Sequence, residues 1–187
     1  SVAILPSLAD DIEQRFGIQI DTVSVGGSVL LDYLEQNRLP SRINQIRIGE
    51  SILLGRIPCV NRIHEDLHQD VFKLRGRILE IKEKPSFPTG RTGLNAFGEK
   101  LEIKDMGNRL RAIVDIGVSN TNPSGIKPLD DSLRIICSNT DCTILDVHDS
   151  RIALHPGDII EFSLNYASLS HCLISPFTRT IMSGGYA

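Results

Sequence analysis

Apolar positions recur every four residues near the start of the chain and every two residues in its second part, with the change falling around Pro58. In SLADDIEQRF (7–16), Leu8, Ile12 and Phe16 predict an amphipathic helix, with Ser7 as N-cap, acidic residues in the first turns and Gly17 as the stop. The β-branched run IQIDTVSV (18–25) predicts a strand, Gly26-Gly27-Ser28 a loop, and VLLDYLEQ (29–36) a second helix. The order repeats: INQIRIG (43–49) reads as a strand ending in glycine, and ESILLG (50–55) as a short helical or turn segment. Two successive strand–glycine loop–helix units imply a parallel sheet.

Beyond Gly55 the helical period fades. In VFKLRGRILEI (71–81), Phe72, Leu74, Gly76 and Ile78 alternate with Lys73, Arg75 and Arg77, after which Leu79 and Ile81 take the opposite phase. That phase change predicts a strand with a bulge near Ile78 and a solvated Lys/Arg face. Further strands are expected at 110–116, 133–137, 143–147 and 159–164, separated by the turn-like NTNPSG, SNTD and HPGD. The second part therefore reads as an antiparallel β-domain or small barrel.

Two features suggest chemistry. Glycines let backbone N–H groups approach an anion, serine hydroxyls add donors, and (β/α)-barrels often bind phosphate on the loops after their last two strands. Ser24-Val25-Gly26-Gly27-Ser28 and the glycine at 49 fit such a pair of loops, although a Gly-Gly pair also makes an ordinary tight turn. The second feature is HEDLH (64–68), which fits the H-E-x-x-H zinc pattern. That pattern needs a helix and a third ligand, whereas only about a dozen residues separate Pro58 from the strand near Val71, and His148, His155 and His171 lie far along the chain. A polar loop joining two folded parts is the expected reading, with no metal site.

Composition narrows the partners. The 187 residues, 41% of them apolar, suit one domain or two small ones. A formal charge of −3 provides no basic field for nucleic acid, and no apolar run approaches the ~20 residues that span a bilayer. Cys59, Cys137, Cys142 and Cys172 form no C-x-x-C pair and no secretory signal precedes them, so reduced thiols and a cytoplasmic location are expected. The chain opens on Ser1, with a helical pattern starting almost at once, as though a preceding element were missing.

RIGESILLG (47–55) and DVFKLRGRILEIKEKPSFPTG (70–90) resemble the pyridoxal-phosphate-dependent alanine and ornithine racemases, in particular the ornithine-racemase-like branch. The likeness extends to SVGGS, Ala96-Phe97-Gly98, RAIVDIG (111–117), SNTDCTILDV (138–147) and PGDIIEFSLNYASL (156–169). It implies an α/β plus all-β chain: residues 1–56 supply the last strand–helix units of a truncated (β/α)8 barrel, and 57–187 the C-terminal β-domain. It further implies pyridoxal 5'-phosphate as cofactor, an amino-acid substrate and a homodimer. The family's covalent lysine lies on an early barrel strand outside this chain, so the chain alone should be inactive.

Carried over by position, the resemblance gives cofactor-binding roles to Ser24, Gly26, Gly27, Ser28, Arg47, Gly49 and Glu50. Ser28, with Gly49 and the Glu50 amide, would hold the phosphate, and Arg47 would face the pyridine nitrogen. A fixed cation there disfavours ring protonation and weakens the electron sink, which favours racemisation over transamination. Without the resemblance, Arg47 reads as a surface ion-pair residue. Racemisation needs an acid–base group on each face of the substrate carbanion. Phe97 occupies the position of the family's catalytic tyrosine and has no proton to give, which turns attention to Asn95 and Asp141; Asp141 equally suits an Asx-turn. The asparagine of the family's S-G-G-N-S loop is missing, and His171 and Phe177 stand where arginine and a phosphate-contacting tyrosine are usual. These departures leave open a noncatalytic paralogue that binds cofactor or a partner.

Overall fold

The computed structural model describes residues 2–58, 60, 62–90, 93–94, 98 and 104–183. By packing, the chain divides into two compact units, Ser1–Val71 and Phe72–Ala187.

The first unit begins with a 3-10 turn, Val2–Ile4, that runs into α1, Leu5–Phe16. Ser7 is not its N-cap. Pro6 occupies the first turn, where its fixed φ suits a helix and its missing N–H costs nothing, so the helix starts ahead of Ser7 and the Ser7 hydroxyl donates to the Ile4 carbonyl oxygen (3.0 Å). Gly17 ends the helix in the left-handed conformation, as expected (φ 62°). The stripe of Leu8, Ile12 and Phe16 is not the buried face: Leu8 and Phe16 are exposed, whereas Ala9 and Leu5 join Val23, Val25, Leu30 and Ile43 in the unit's core.

Strand β1, Ser24–Gly26, and strand β2, Gln45–Arg47, pair in parallel, with Gly26 opposite Arg47. The parallel pair is as predicted, but both strands are shorter, because residues 18–23 have β-propensity and no strand partner among the described residues. After β1 comes a 3-10 turn, Ser28–Leu30, then α2, Leu31–Glu35. After β2 comes α3, Glu50–Leu54, closed by Gly55 in the left-handed conformation. A hairpin of β3, Arg56–Ile57, and β4, Arg62–Ile63, completes the unit. HEDLH follows it as turns and irregular backbone, as the polar-loop reading expects.

The second unit is a six-stranded sheet. It comprises β5, Leu74–Pro85; β6, Asn108–Val114; β7, Ile126–Pro128; β8, Arg134–Ser138; β9, Thr143–Asp146; and β10, Ile159–Leu164. Its order is β7-β10-β5-β6-β9-β8, every pairing being antiparallel, and the unpaired edges β7 and β8 approach each other in a nearly closed barrel. Strand β5 organises it: residues 74–77 pair with β10, and residues 78–85 pair with β6 along a register that shifts between Ile78 and Glu80. The bulge lies where the phase change predicts it. Leu74, Gly76 and Ile78 face the core, and the basic residues between them face solvent, with Lys73 and Arg75 paired to Glu161.

The core gathers Leu74, Ile78, Val114, Ile116, Leu145, Val147 and Phe162. Strand β7 and helix α4 (Tyr166–Ile174) of this unit were not predicted from the sequence pattern. Strand β7 is a three-residue edge ending in Pro128, too short for its period to register. Helix α4, Tyr166–Ile174, is capped by Asn165, whose side chain accepts from the Ser168 N–H (2.8 Å), a signal present in NYAS.

Candidate functional site

Strand alternation separates two faces of the β1–β2 pair. Val25 and Ile46 point into the core with Ala9 and Leu30, leaving Ser24, Gly26 and Arg47 together on the other face. Arg47 is held there: its Nη1 donates to Ser24 Oγ and its carbonyl oxygen accepts from the Gly27 N–H (3.0 Å). A Cβ on Gly26 would stand 2.7 Å from Arg47 Nη2, so the missing side chain makes room for the guanidinium.

Beyond the strands the two loops are tied to each other. Ser28 Oγ accepts from the Ser51 N–H (3.0 Å), with both serines buried, and Ser51 Oγ donates to the Arg56 carbonyl oxygen (2.9 Å). Ser28 thereby spends a lone pair on the latch and keeps its hydroxyl hydrogen as a donor. Among the described residues, nothing accepts from the backbone N–H groups of Ser28, Val29, Gly49 or Glu50. Unpaired donors at the carboxyl ends of two adjacent parallel strands, with a guanidinium on the neighbouring strand face, have the chemistry to hold an anion.

The structure thus brings together Ser24, Gly26, Gly27, Ser28, Arg47, Gly49 and Glu50. Ser51, which sequence reasoning missed, is bonded to this group through Ser28. A serine inside a short helix carries no signal, and its role depends on a loop far along the chain.

HEDLH takes another part. His64 is buried, its Nε2 lies 2.5 Å from Glu35 Oε1, and its Nδ1 accepts from the Asp66 N–H (3.3 Å). An accepting Nδ1 places the ring hydrogen on Nε2, which donates to the carboxylate. With no helix over 64–68, the two histidines do not share a helix face, and the zincin geometry is not formed.

Asp141 lies in the second unit, in the turn between β8 and β9. Asn139, rather than Asp141, makes the Asx-turn, its Oδ1 accepting from the Asp141 N–H (2.9 Å) and the Cys142 N–H (2.7 Å). Asp141 shares a shallow depression with Asp115, Ser119, Asn120 and the exposed ring of Phe177. Gly117 seats this turn, because a Cβ there would meet the Thr140 carbonyl oxygen at 2.3 Å. His171 lies in the last turn of α4. Asn95 and Phe97 lie outside the described residues.

Within the second unit, Asp146 is the centre of a structural ion-pair cluster. Asp146 accepts from Arg109 Nε (2.9 Å), Arg109 Nη2 (3.1 Å), Arg134 Nη2 (3.0 Å) and the His148 N–H (3.1 Å). Burial pushes its carboxyl upward, but the Arg109 and His148 hydrogen bonds and the two guanidinium charges outweigh it and hold Asp146 below the usual aspartate range. Burial raises the thiols of Cys137 and Cys172.

No helix among the described residues is long and apolar enough to cross a membrane. No family model matches the chain. It is 39% identical over 165 residues to an ornithine racemase of Acetoanaerobium sticklandii, covering 88% of this chain and 47% of that protein. It is 36% identical over 178 residues to a lysine racemase of Thermotoga maritima, covering 95% of this chain and 50% of that protein. The chain therefore spans about half the length of the curated relatives it matches.

Among solved structures, an alanine racemase of Clostridium difficile 630 in complex with cycloserine superposes with a TM-score of 0.55 at 17% identity, covering 95% of this chain and 48% of that one. The alanine racemase of Acinetobacter baumannii gives 0.53 at 15% identity, over 89% and 44%. A D-threonine aldolase of Filomicrobium marinum gives 0.51 at 12% identity, over 91% and 42%; structural likeness at these identities speaks for the fold alone. The solved structures show the fold, and the two sequence relatives show that the chain belongs to the alanine/ornithine racemase family and matches the C-terminal half of its members.

Proposed function

We propose that this chain contributes the phosphate-binding end of the barrel and the β-domain of a pyridoxal 5'-phosphate-dependent amino-acid racemase acting on ornithine or another basic amino acid, or on alanine. The observation that carries the proposal is the set of N–H groups at Ser28, Val29, Gly49 and Glu50 that have no acceptor among the described residues, beside Arg47 at the ends of β1 and β2. On this reading residues 1–56 belong to the barrel and 57–187 to the C-terminal domain, with residues 57–71 packing as part of the first compact unit.

The residues fit the cofactor. Its phosphate needs converging donors without bulky side chains between them, and the amides and the Ser28 hydroxyl supply these. Glu50 would contribute its amide, since its carboxylate repels phosphate. When bound, pyridoxal phosphate supplies an electron sink that acidifies the substrate's α-proton. Arg47, anchored by Ser24, places a permanent positive charge on the same face of the strands as Gly26. A guanidinium stays charged at ordinary pH, so if the pyridine nitrogen of the bound cofactor faced Arg47, this charge would disfavour its protonation. Asp141, Asn95 and the Phe97 position are the proposed groups nearest the proton transfer, with the Schiff-base lysine supplied from outside this chain. The working protein is proposed to be a cytoplasmic homodimer, with the racemase relatives and the dispersed cysteines as support.

The test uses the product of the complete gene, incubated with pyridoxal phosphate, reduced with borohydride and weighed intact. One pyridoxyl adduct on a lysine upstream of Ser1, together with interconversion of L- and D-ornithine or lysine by chiral chromatography, is the expected outcome. An unmodified protein without racemisation defeats the enzyme reading and leaves a binding module.

A further inference from the structure

A closed path of bonds joins the two anion-binding loops through HEDLH. From Ser28 the chain runs through the 3-10 turn and α2 to Glu35, whose carboxylate accepts from His64 Nε2 (2.5 Å). The His64 backbone N–H donates to the Gly55 carbonyl oxygen (2.9 Å), and the Gly55 N–H donates to the Ser51 carbonyl oxygen (2.8 Å). The Ser51 N–H then returns to Ser28 Oγ (3.0 Å).

The geometry points to His64 as a positioning residue of the anion site. The inference rests on the phosphate-binding role proposed for these loops. Each loop feeds a helix of only five residues, α2 or α3, too short to hold its own orientation. Glu35 lies at the end of the helix that follows the first loop, and His64 directly follows the hairpin that leaves the second. Linking them fixes the distal ends of both helices, while the Ser28–Ser51 bond fixes the proximal ends. A second pair acts in parallel: Asp32, one helical turn before Glu35, takes Arg62, two residues before His64. The imidazole suits this place because both ring nitrogens are engaged, Nε2 by Glu35 and Nδ1 by the Asp66 N–H, so the buried ring has one available orientation.

Cutting the link leaves every donor of the site in place and loosens only their spacing. The complete gene product is titrated with pyridoxal phosphate and, separately, with pyridoxal, which lacks the phosphate; the ratio of the two affinities isolates the phosphate contribution. His64→Ala and Glu35→Ala are expected to lower that ratio about fivefold, the effect of one lost hydrogen bond. Pyridoxal affinity is expected to stay unchanged, and Glu35→Gln, which keeps an acceptor for the imidazole, restores the ratio. Glu35 is 45% exposed, so its removal opens no buried cavity, and Glu35→Ala decides the matter if His64→Ala fails to fold. A lowered melting temperature with an unchanged ratio would mean that the pair only holds the fold, and overturns the inference. Ser28→Ala separates the two layers. If it lowers the ratio while both link variants do not, the phosphate site stands and the positioning role fails. If it too leaves the ratio unchanged, the phosphate reading fails and takes the inference with it.

Discussion

Gly26 and Arg47 are direct partners in the parallel β1–β2 pair, and the guanidinium occupies the space beside the glycine that a side chain would take, Nη2 lying 2.7 Å from the position of a Cβ. The glycine is needed for what it leaves empty. Gly26→Ala meets the far end of a flexible side chain rather than backbone, so stability should change by less than about 1 kcal/mol in urea titration. Arg47 must swing away from Ser24, and pyridoxal phosphate affinity should fall about fivefold, as for the loss of one fixed polar contact. Equal affinity in the variant would remove Arg47 from the site.

Gly76 sets up the opposite case. A Cβ there would lie 2.3 Å from Ile116 Cδ1 and 2.5 Å from Val114 Cγ1, both inside the β-domain core. Gly76→Ala should therefore destabilise the second unit by about 1–3 kcal/mol, the usual cost of overpacking. Denaturant unfolding measures this, and a neutral result would mean that β5 shifts freely against β6.

Asp146 makes the stability of the second unit depend on acid. Its carboxyl is held below the usual aspartate range, so its contribution is complete above the unfolded-state value of about 3.9 and disappears as pH falls through the lower folded-state value. Asp146→Asn should cost about 2 kcal/mol at pH 7, the scale of a hydrogen bond to a charged group, because Arg109 and Arg134 lose their shared carboxylate. The gap between variant and parent should close progressively below about pH 4. A gap that persists at lower pH would assign the effect to packing.

Purified by itself, the chain of residues 1–187 should not racemise ornithine, lysine or alanine at any pyridoxal phosphate concentration. The proposed function has the covalent lysine supplied from outside these residues. Chiral chromatography after long incubation checks this, and turnover above the cofactor-only background would show that a lysine within the chain serves.

Local periodicity determined much of this protein from the sequence alone. The alternation of Leu74, Gly76 and Ile78 with Lys73, Arg75 and Arg77 marks β5 and its solvated face, and the phase change marks the bulge between Ile78 and Glu80. The two strand–glycine loop–helix units are legible for the same reason, since side-chain period and glycine placement are properties of neighbouring residues. Tertiary structure decided the rest. Strand propensity over 18–23 produces no ladder, because a ladder requires a partner and these residues have none among those described. Pro6, not Ser7, sets the start of α1, and helix packing turns Ala9 inward in place of Leu8 and Phe16. Asp141 gives the Asx-turn to Asn139. Most of all, HEDLH carries the spacing of a zinc motif, yet His64 is claimed by Glu35, 29 residues earlier, and Ser28 is latched by Ser51, 23 residues later. Such bonds depend on which groups the fold brings within reach at burial, a fact about three-dimensional neighbours that spacing along the chain does not contain.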